Sequence, residues 1–181
     1  MSDGFTLFDT AIGTCGVAWN EHGLTGVQLP QTEGGDPRAR LARRHPLAAE
    51  QQPPRSVAEA IAGMQALLSG EPRDLLEVEL DTSGLAPLSA QVYEISRAIP
   101  PGQTLTYGDI ARRLGDVSLS RAVGQALGAN PWPIVVPCHR ILAAGGRKGG
   151  FSAPGGADTK LRMLEIEGAL APETLPLFGG R

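Results

Sequence analysis

The chain is short of the residues that staple or metallate a fold. Cysteine occurs only as Cys15 and Cys138, and histidine only as His22, His45 and His139. Two cysteines exclude a disulfide framework. Cys15 with His22, and the adjacent Cys138 and His139, are each too few ligands for a structural zinc site, so no metal and no cofactor is expected. Long apolar runs are missing too. None approaches the roughly 18 residues that span a bilayer. The segment Met1-Ser2-Asp3-Gly4 has neither the basic nor the apolar part of a signal peptide, so a cytoplasmic protein with no membrane partner is expected. Lysine is absent from residues 1–85, where six arginines face twelve acidic residues, a balance of −6. Residues 86–181 hold ten basic and seven acidic residues, a balance of +3. The asymmetry points to two domains, the second facing an anion.

What is present follows a clear order. Phe5–Phe8, Cys15–Trp19 and Leu24–Leu29 read as strands around a Gly13-Thr14 break and an Asn20–Gly23 turn. Asp36 is placed to cap a short helix reaching His45, with Pro37 in its first turn. Ser56, with Glu59 three residues on, has the spacing of a capping box for a helix carrying Val57, Ala60, Ile61, Met64, Leu67 and Leu68. Gly70 ends that helix, Leu75–Leu80 alternates as a strand, and Asp81–Gly84 reads as a linker. The second half is mainly helical. Ser89 is placed to cap a helix that Pro100-Pro101-Gly102 stops. Thr106 and Asp109 frame the start of the next, and Gly115 its end. A third helix is expected from Ser118 through Leu127, closed by Gly128. Two short helices with a tight Gly-containing turn make a helix-turn-helix pattern. Arg121 falls in the first turn of the second helix, where a cation opposes the macrodipole, so its purpose is sought outside the fold. Ala143–Gly156 holds six glycines and reads as a wing or substrate loop. A last helix, Ala157–Glu167, precedes a Pro- and Gly-rich tail.

The organising stretch is Ile134-Val135-Val136-Pro137-Cys138-His139-Arg140. Its β-branched run reads as a strand that stops at Pro137, which cannot donate to a ladder. Cys138 is then placed in a turn at the core's edge. A thiol is a nucleophile only as the thiolate, and His139 is a base beside it.

Pro137-Cys138-His139-Arg140 resembles the active-site signature of the O6-alkylguanine-DNA alkyltransferases. The resemblance extends over residues 88–168. It includes Thr106-Tyr107-Gly108-Asp109-Ile110-Ala111, Ser120-Arg121-Ala122-Val123-Gly124-Gln125-Ala126, Gly128-Ala129-Asn130-Pro131, Gly149-Gly150-Phe151-Ser152, Lys160 and Glu167-Gly168. It implies an α/β protein. A small N-terminal domain with a ribonuclease-H-like sheet (1–84) would precede a winged helix-turn-helix domain (85–170) and a tail (171–181). Cys138 would accept the alkyl group and His139 its proton, with Glu167, or alternatively Glu165, orienting the imidazole. Asn130 would hold the turn, and Tyr107 would donate to guanine. Arg121, Ser120, Ala122, Gly124 and Arg140 would meet DNA; Pro133, Gly149, Phe151 and Ser152 would line the pocket.

The implied partner is double-stranded DNA bearing O6-alkylguanine, met by a monomer that flips the base out. Leu175, Leu177 and Phe178 in Thr174–Phe178 are spaced like a sliding-clamp-binding peptide, so a clamp is a second expected partner. Phe151 stands where many relatives have Tyr, in a loop two residues longer. Two rival classes share these residues: a cysteine hydrolase using Cys138, His139 and Glu167, and a lesion-binding protein without transfer.

Overall fold

The computed structural model of the chain describes residues 3–31, 34–143 and 156–169. Three antiparallel strands come first: β1 (Gly4–Thr10), β2 (Gly13–Asn20) and β3 (Gly23–Gln28). A two-residue strand β4 (Ala49–Glu50) adds in parallel to β1, giving the order β3-β2-β1-β4. Alternation sorts the side chains onto two faces. Phe8, Cys15, Val17 and Trp19 enter the main core with Met64 and Leu67 of helix α2 (Arg55–Leu68). Phe5 and Ala18 pack on Leu41 of helix α1 (Pro37–Arg44) on the other face. At Gly16 a Cβ would stand 2.7 Å from Leu41 Cδ2, so a larger residue there would make the Leu41 side chain shift.

The second part consists of α3 (Pro87–Arg97), β5 (Leu105–Thr106), α4 (Tyr107–Arg113), α5 (Ser120–Gly128), β6 (Ile141–Leu142) and α6 (Gly156–Ile166). One apolar core runs through both parts, from Phe8 and Trp19 to Tyr93, Trp132 and Val136. Hydrogen bonds cross between them as well: Val27 N–H donates to Pro131 O at 2.9 Å, and Arg162 Nη2 to Ala11 O at 2.6 Å. An α/β fold, sheet first and helices after, is what the residues are expected to give.

Local details depart from the sequence reading where distant groups take over. Helix α2 starts at Arg55 behind Pro54, with no side-chain cap; Ser56 lies inside its first turn and Glu59 pairs with Arg55 at 3.0 Å. Helix α3 starts at Pro87 rather than at Ser89, since proline suits the first helical position. Leu75–Leu80 is not a strand. Leu75 has φ of 57°, and Arg97 Nη2 takes the carbonyls of Leu75 and Val78 at 2.8 and 2.9 Å, leaving a single bridge from Leu80 to Leu24. Ser118 lies in a 3₁₀ turn, Val117–Leu119, capped by Asp116, so α5 begins only at Ser120. Ile134–Val136 is a buried turn and not a strand. The expected wing and the tail lie outside the described residues, apart from the loop's two ends.

Candidate active site

The turn that carries Cys138 is built from its own backbone and one side chain. Val136 N–H donates to Trp132 O at 2.8 Å, and Cys138 N–H to Val136 O at 2.8 Å around Pro137 at φ −80°, ψ 66°, an inverse γ-turn. Asn130 fastens both ends: Nδ2 donates to Val136 O and Oδ1 accepts from Trp132 N–H, each at 2.9 Å. Ile134 sits inside this frame at φ +79°. A β-branched residue there costs on the order of 1–3 kcal/mol, so the turn holds strain that its hydrogen bonds must offset.

Cys138 opens a 3₁₀ turn, Cys138–Arg140, which runs directly into β6. Strand β6 pairs in parallel with β5, Leu105 against Ile141 and Thr106 against Leu142. The pairing brings the start of α4 to the thiol. A complete capping box fixes that start: Thr106 Oγ1 accepts from Asp109 N–H at 3.0 Å, and Asp109 Oδ2 accepts from Thr106 N–H at 2.9 Å. Tyr107 follows at once. Its hydroxyl has no hydrogen-bond partner among the described residues, and burial and then the Cys138 charge raise its pKa.

Helix α6 supplies the opposite wall. Lys160 and Glu167 lie two turns apart, so both face the 138–141 segment. Lys160 Nζ donates to Ile141 O at 2.7 Å, and burial brings its pKa down to about 8 against the pull of Cys138. Glu167 Oε2 is 2.8 Å from His139 Nε2. Arg140 forks onto the same carboxylate, Nε to Oε1 and Nη2 to Oε2, both at 2.8 Å. Burial alone would push the Glu167 carboxyl up; the hydrogen bonds and charges of Arg140 and His139 bring it down to about 2. Glu165, the alternative orienting carboxylate, is exposed.

These contacts set protonation states. Burial lowers the His139 pKa more than Glu167 raises it, so the imidazole is neutral, with Nε2–H donating to the carboxylate. Nδ1 is then a lone-pair acceptor, buried and with no partner among the described residues. Burial raises the Cys138 pKa. The Asn130 side chain, the Lys160 charge and the N–H groups of Cys138 and His139 act against it. The arrangement can accept a thiol proton and hold the thiolate.

The residues expected to meet DNA divide. Arg121 is exposed at the second position of α5, a helix with no acidic residue in its first turn and no side-chain cap. Ser120, Ala122 and Gly124 are half-buried beside it. A Cβ on Gly124 would meet nothing within 4 Å, so no packing inside the chain requires a glycine that costs roughly 1 kcal/mol in a helix. Arg140 must be corrected: it is 1% exposed, bound to Glu167 and, through Nη1, to Ile99 O at 2.7 Å, so it builds the site's floor. Pro133 is buried in the turn, while Gly149, Phe151 and Ser152 lie outside the described residues. Sequence reading assigned no role to Trp132, Tyr93 or Lys160. Only Lys160 had a signal, as part of the motif.

Residues 87–169 match the family model for the 6-O-methylguanine DNA methyltransferase DNA-binding domain. A methylated-DNA--protein-cysteine methyltransferase of Mycolicibacterium paratuberculosis is 39% identical over 125 residues, 69% of this chain and 73% of that protein. A DNA base-flipping protein of Thermus thermophilus is 46% identical over 108 residues, 59% of this chain and 70% of that one. The crystal structure of Mycobacterium tuberculosis OGT in complex with DNA superposes with a TM-score of 0.71 at 32% identity, covering 97% of this chain and 99% of the other. With the similarity spanning sheet, helices and reactive turn together, the chain belongs to the methylated-DNA--protein-cysteine methyltransferase family.

Proposed function

We propose that this chain repairs DNA by moving the alkyl group of O6-alkylguanine onto Cys138 Sγ, once per molecule. The observation that carries the reading is the free Nδ1 of a neutral, buried His139 whose Nε2–H is fixed on Glu167, next to a thiol with its own hydrogen-bond donors. Nδ1 takes the thiol proton, directly or through a water. The sulfur attacks the alkyl carbon in line; the S–C bond forms as the C–O6 bond breaks, and that electron pair stays on guanine. Tyr107 donates to the ring as charge develops there, and overall the thiol proton ends on guanine. The thioether has no hydrolytic route among these residues, so the protein is consumed.

Helices α4 and α5 act in this reading as the helix-turn-helix of a winged domain. Ser120, Ala122 and Gly124 approach the DNA backbone, and Arg121 fills the space left by the flipped base. The N-terminal sheet, of ribonuclease-H-like type, serves as scaffold, and the protein acts as a monomer. A sliding clamp as second partner, through Thr174–Phe178, rests on sequence spacing alone; binding with and without residues 173–181 tests it.

The decisive experiment is intact-protein mass spectrometry after incubation with a duplex holding one O6-methylguanine. One methyl group per molecule, mapped to Cys138, is expected; repeated turnover, or methyl on Cys15, refutes the proposal. Similarity to the Thermus thermophilus base-flipping protein favours a second reading, binding without transfer. Tight binding with no gain in mass would establish it.

A further inference from the structure

Trp132 occupies a place that the transfer chemistry does not explain. Its side chain is 2% exposed, and its Nε1–H donates to Leu24 O of β3 at 2.7 Å. Its backbone is the hub of the reactive turn, giving N–H to Asn130 Oδ1 and taking Val136 N–H. Its ring meets Tyr93 edge-on, centroids 6.0 Å apart at 89°. Tyr93 OH in turn donates to Ala126 O, near the end of α5, at 2.6 Å. One residue therefore joins the sheet, the helix that presents Arg121, and the turn that holds Cys138.

The indole bond is not needed to satisfy its acceptor. Leu24 O also accepts Asp81 N–H at 2.9 Å, so losing the indole donor orphans no carbonyl. The bond is directional, and it ties a turn strained at Ile134 to a rigid strand. Val27 N–H donating to Pro131 O is a second tie one residue earlier, but it restrains only the entry to the turn. Burial of the ring alone would need only an apolar side chain.

We infer that Trp132 is a positioning residue for the transfer step, its indole N–H fixing the reactive turn on β3 so that Cys138 Sγ stays within reach of Asn130 and His139. The inference rests on Cys138 as the alkyl acceptor. A misplacement of about 1 Å can cost up to roughly 10²-fold in rate. Freed of the tether, the sulfur leaves the donors that favour its thiolate.

The test compares wild type with Trp132→Phe and with a protein carrying β-(3-benzothienyl)alanine at 132, which keeps the bicyclic shape and lacks the N–H. Three quantities are measured: transfer rate with free O6-benzylguanine, affinity for lesion-free duplex, and the pH profile of iodoacetamide capture at Cys138. Expected for both replacements are a fall of about tenfold in rate, an unchanged duplex affinity, and a capture profile moved to higher pH. A benzothienyl protein with wild-type rate and profile overturns the inference, whatever Trp132→Phe does to folding. If wild type takes no alkyl group while the capture profile still shifts, the positioning stands and the proposed activity falls.

Discussion

The two cysteines are both buried, and burial raises both thiol pKa values, yet only one is surrounded by groups that can use a thiolate. Cys15 lies on the core face of β2, its pKa pushed up to about 11 by burial. The Thr10 hydroxyl, 3.7 Å away, helps the thiolate a little, and the Asp9 charge opposes it. Cys138 has an amide side chain, two backbone N–H groups and a lysine charge on its side, and an imidazole with an open lone pair next to it in sequence. Burial does little to separate the two, at 0% exposure for Cys15 and 8% for Cys138. What separates them is the donor set, which comes from a strained turn in one case and a regular strand in the other.

The comparison breaks most sharply at the nucleophile itself. Cys138→Ala is expected to abolish alkyl transfer while the protein still binds duplex DNA. Cys15→Ala is expected to transfer at the wild-type rate. Mass spectrometry on both variants checks it, and transfer by Cys138→Ala would mean that Cys15 carries chemistry after all.

Glu167 is the next lever, since Asp9, the carboxylate that Cys15 feels, accepts from Thr14 rather than orienting an imidazole. Glu167→Gln leaves Arg140 buried without its counter-charge, and breaking such a pair costs about 3–5 kcal/mol. It also withdraws the anion that orients His139, so transfer should slow even in the folded fraction. The sign with pH follows from the lowered carboxyl. Its folded pKa of about 2 lies below the ordinary 4.5, so its stabilisation is full above 4.5 and is lost as pH falls toward 2. Denaturant unfolding should show a gap between wild type and variant at pH 7 that narrows below pH 4.5. A constant gap would mean that packing, not charge, is lost.

The scaffold was more legible in the sequence than the reactive turn. The hairpins, the Asp36–Pro37 helix start and the Thr106–Asp109 box depend on neighbours within a few residues, and local signals found them. The Leu75–Leu80 segment alternates like a strand, but its carbonyls answer to Arg97, some twenty residues on. Ile134–Val136 looked like a strand because β-branched residues favour one; the Asn130 amide and the Trp132 carbonyl hold it otherwise. The resemblance implies Arg140 as a DNA contact, and the fold buries it instead. Its partner, Glu167, is 27 residues away, and no local pattern announces that pairing.

Arg121 sharpens the contrast between a residue held by the fold and one left for a ligand. Arg121→Ala removes an exposed cation from a helix start where it opposes the dipole, so thermal stability should hold or rise slightly. Repair of a duplex should slow by about one to two orders of magnitude, the scale of a flipping cost of a few kcal/mol. Reaction with free O6-benzylguanine should not change. Single-turnover rates on both substrates decide it, and equal losses would place Arg121 in the chemistry or the fold.

The smallest expected effect concerns Lys160, the cation that Cys15 lacks. Burial brings its pKa down from 10.5 to about 8. A base whose folded pKa is lowered binds fewer protons folded than unfolded in the window between those values. Stability therefore gains as pH rises from about 8 toward 10.5, and below 8 the folded state bears the cost of the buried charge. Lys160→Met removes both the cost and the window, so wild type minus variant stability should rise with pH over that interval. The same charge lowers the Cys138 thiol pKa, so the variant's capture by iodoacetamide should move to higher pH, while capture of Cys15 in unfolded protein should be the same for both. If Lys160→Met leaves the Cys138 profile in place, the lysine's part is structural, as in its bond to the carbonyl of Ile141, and Asn130 with the backbone N–H groups suffices to set this thiol apart.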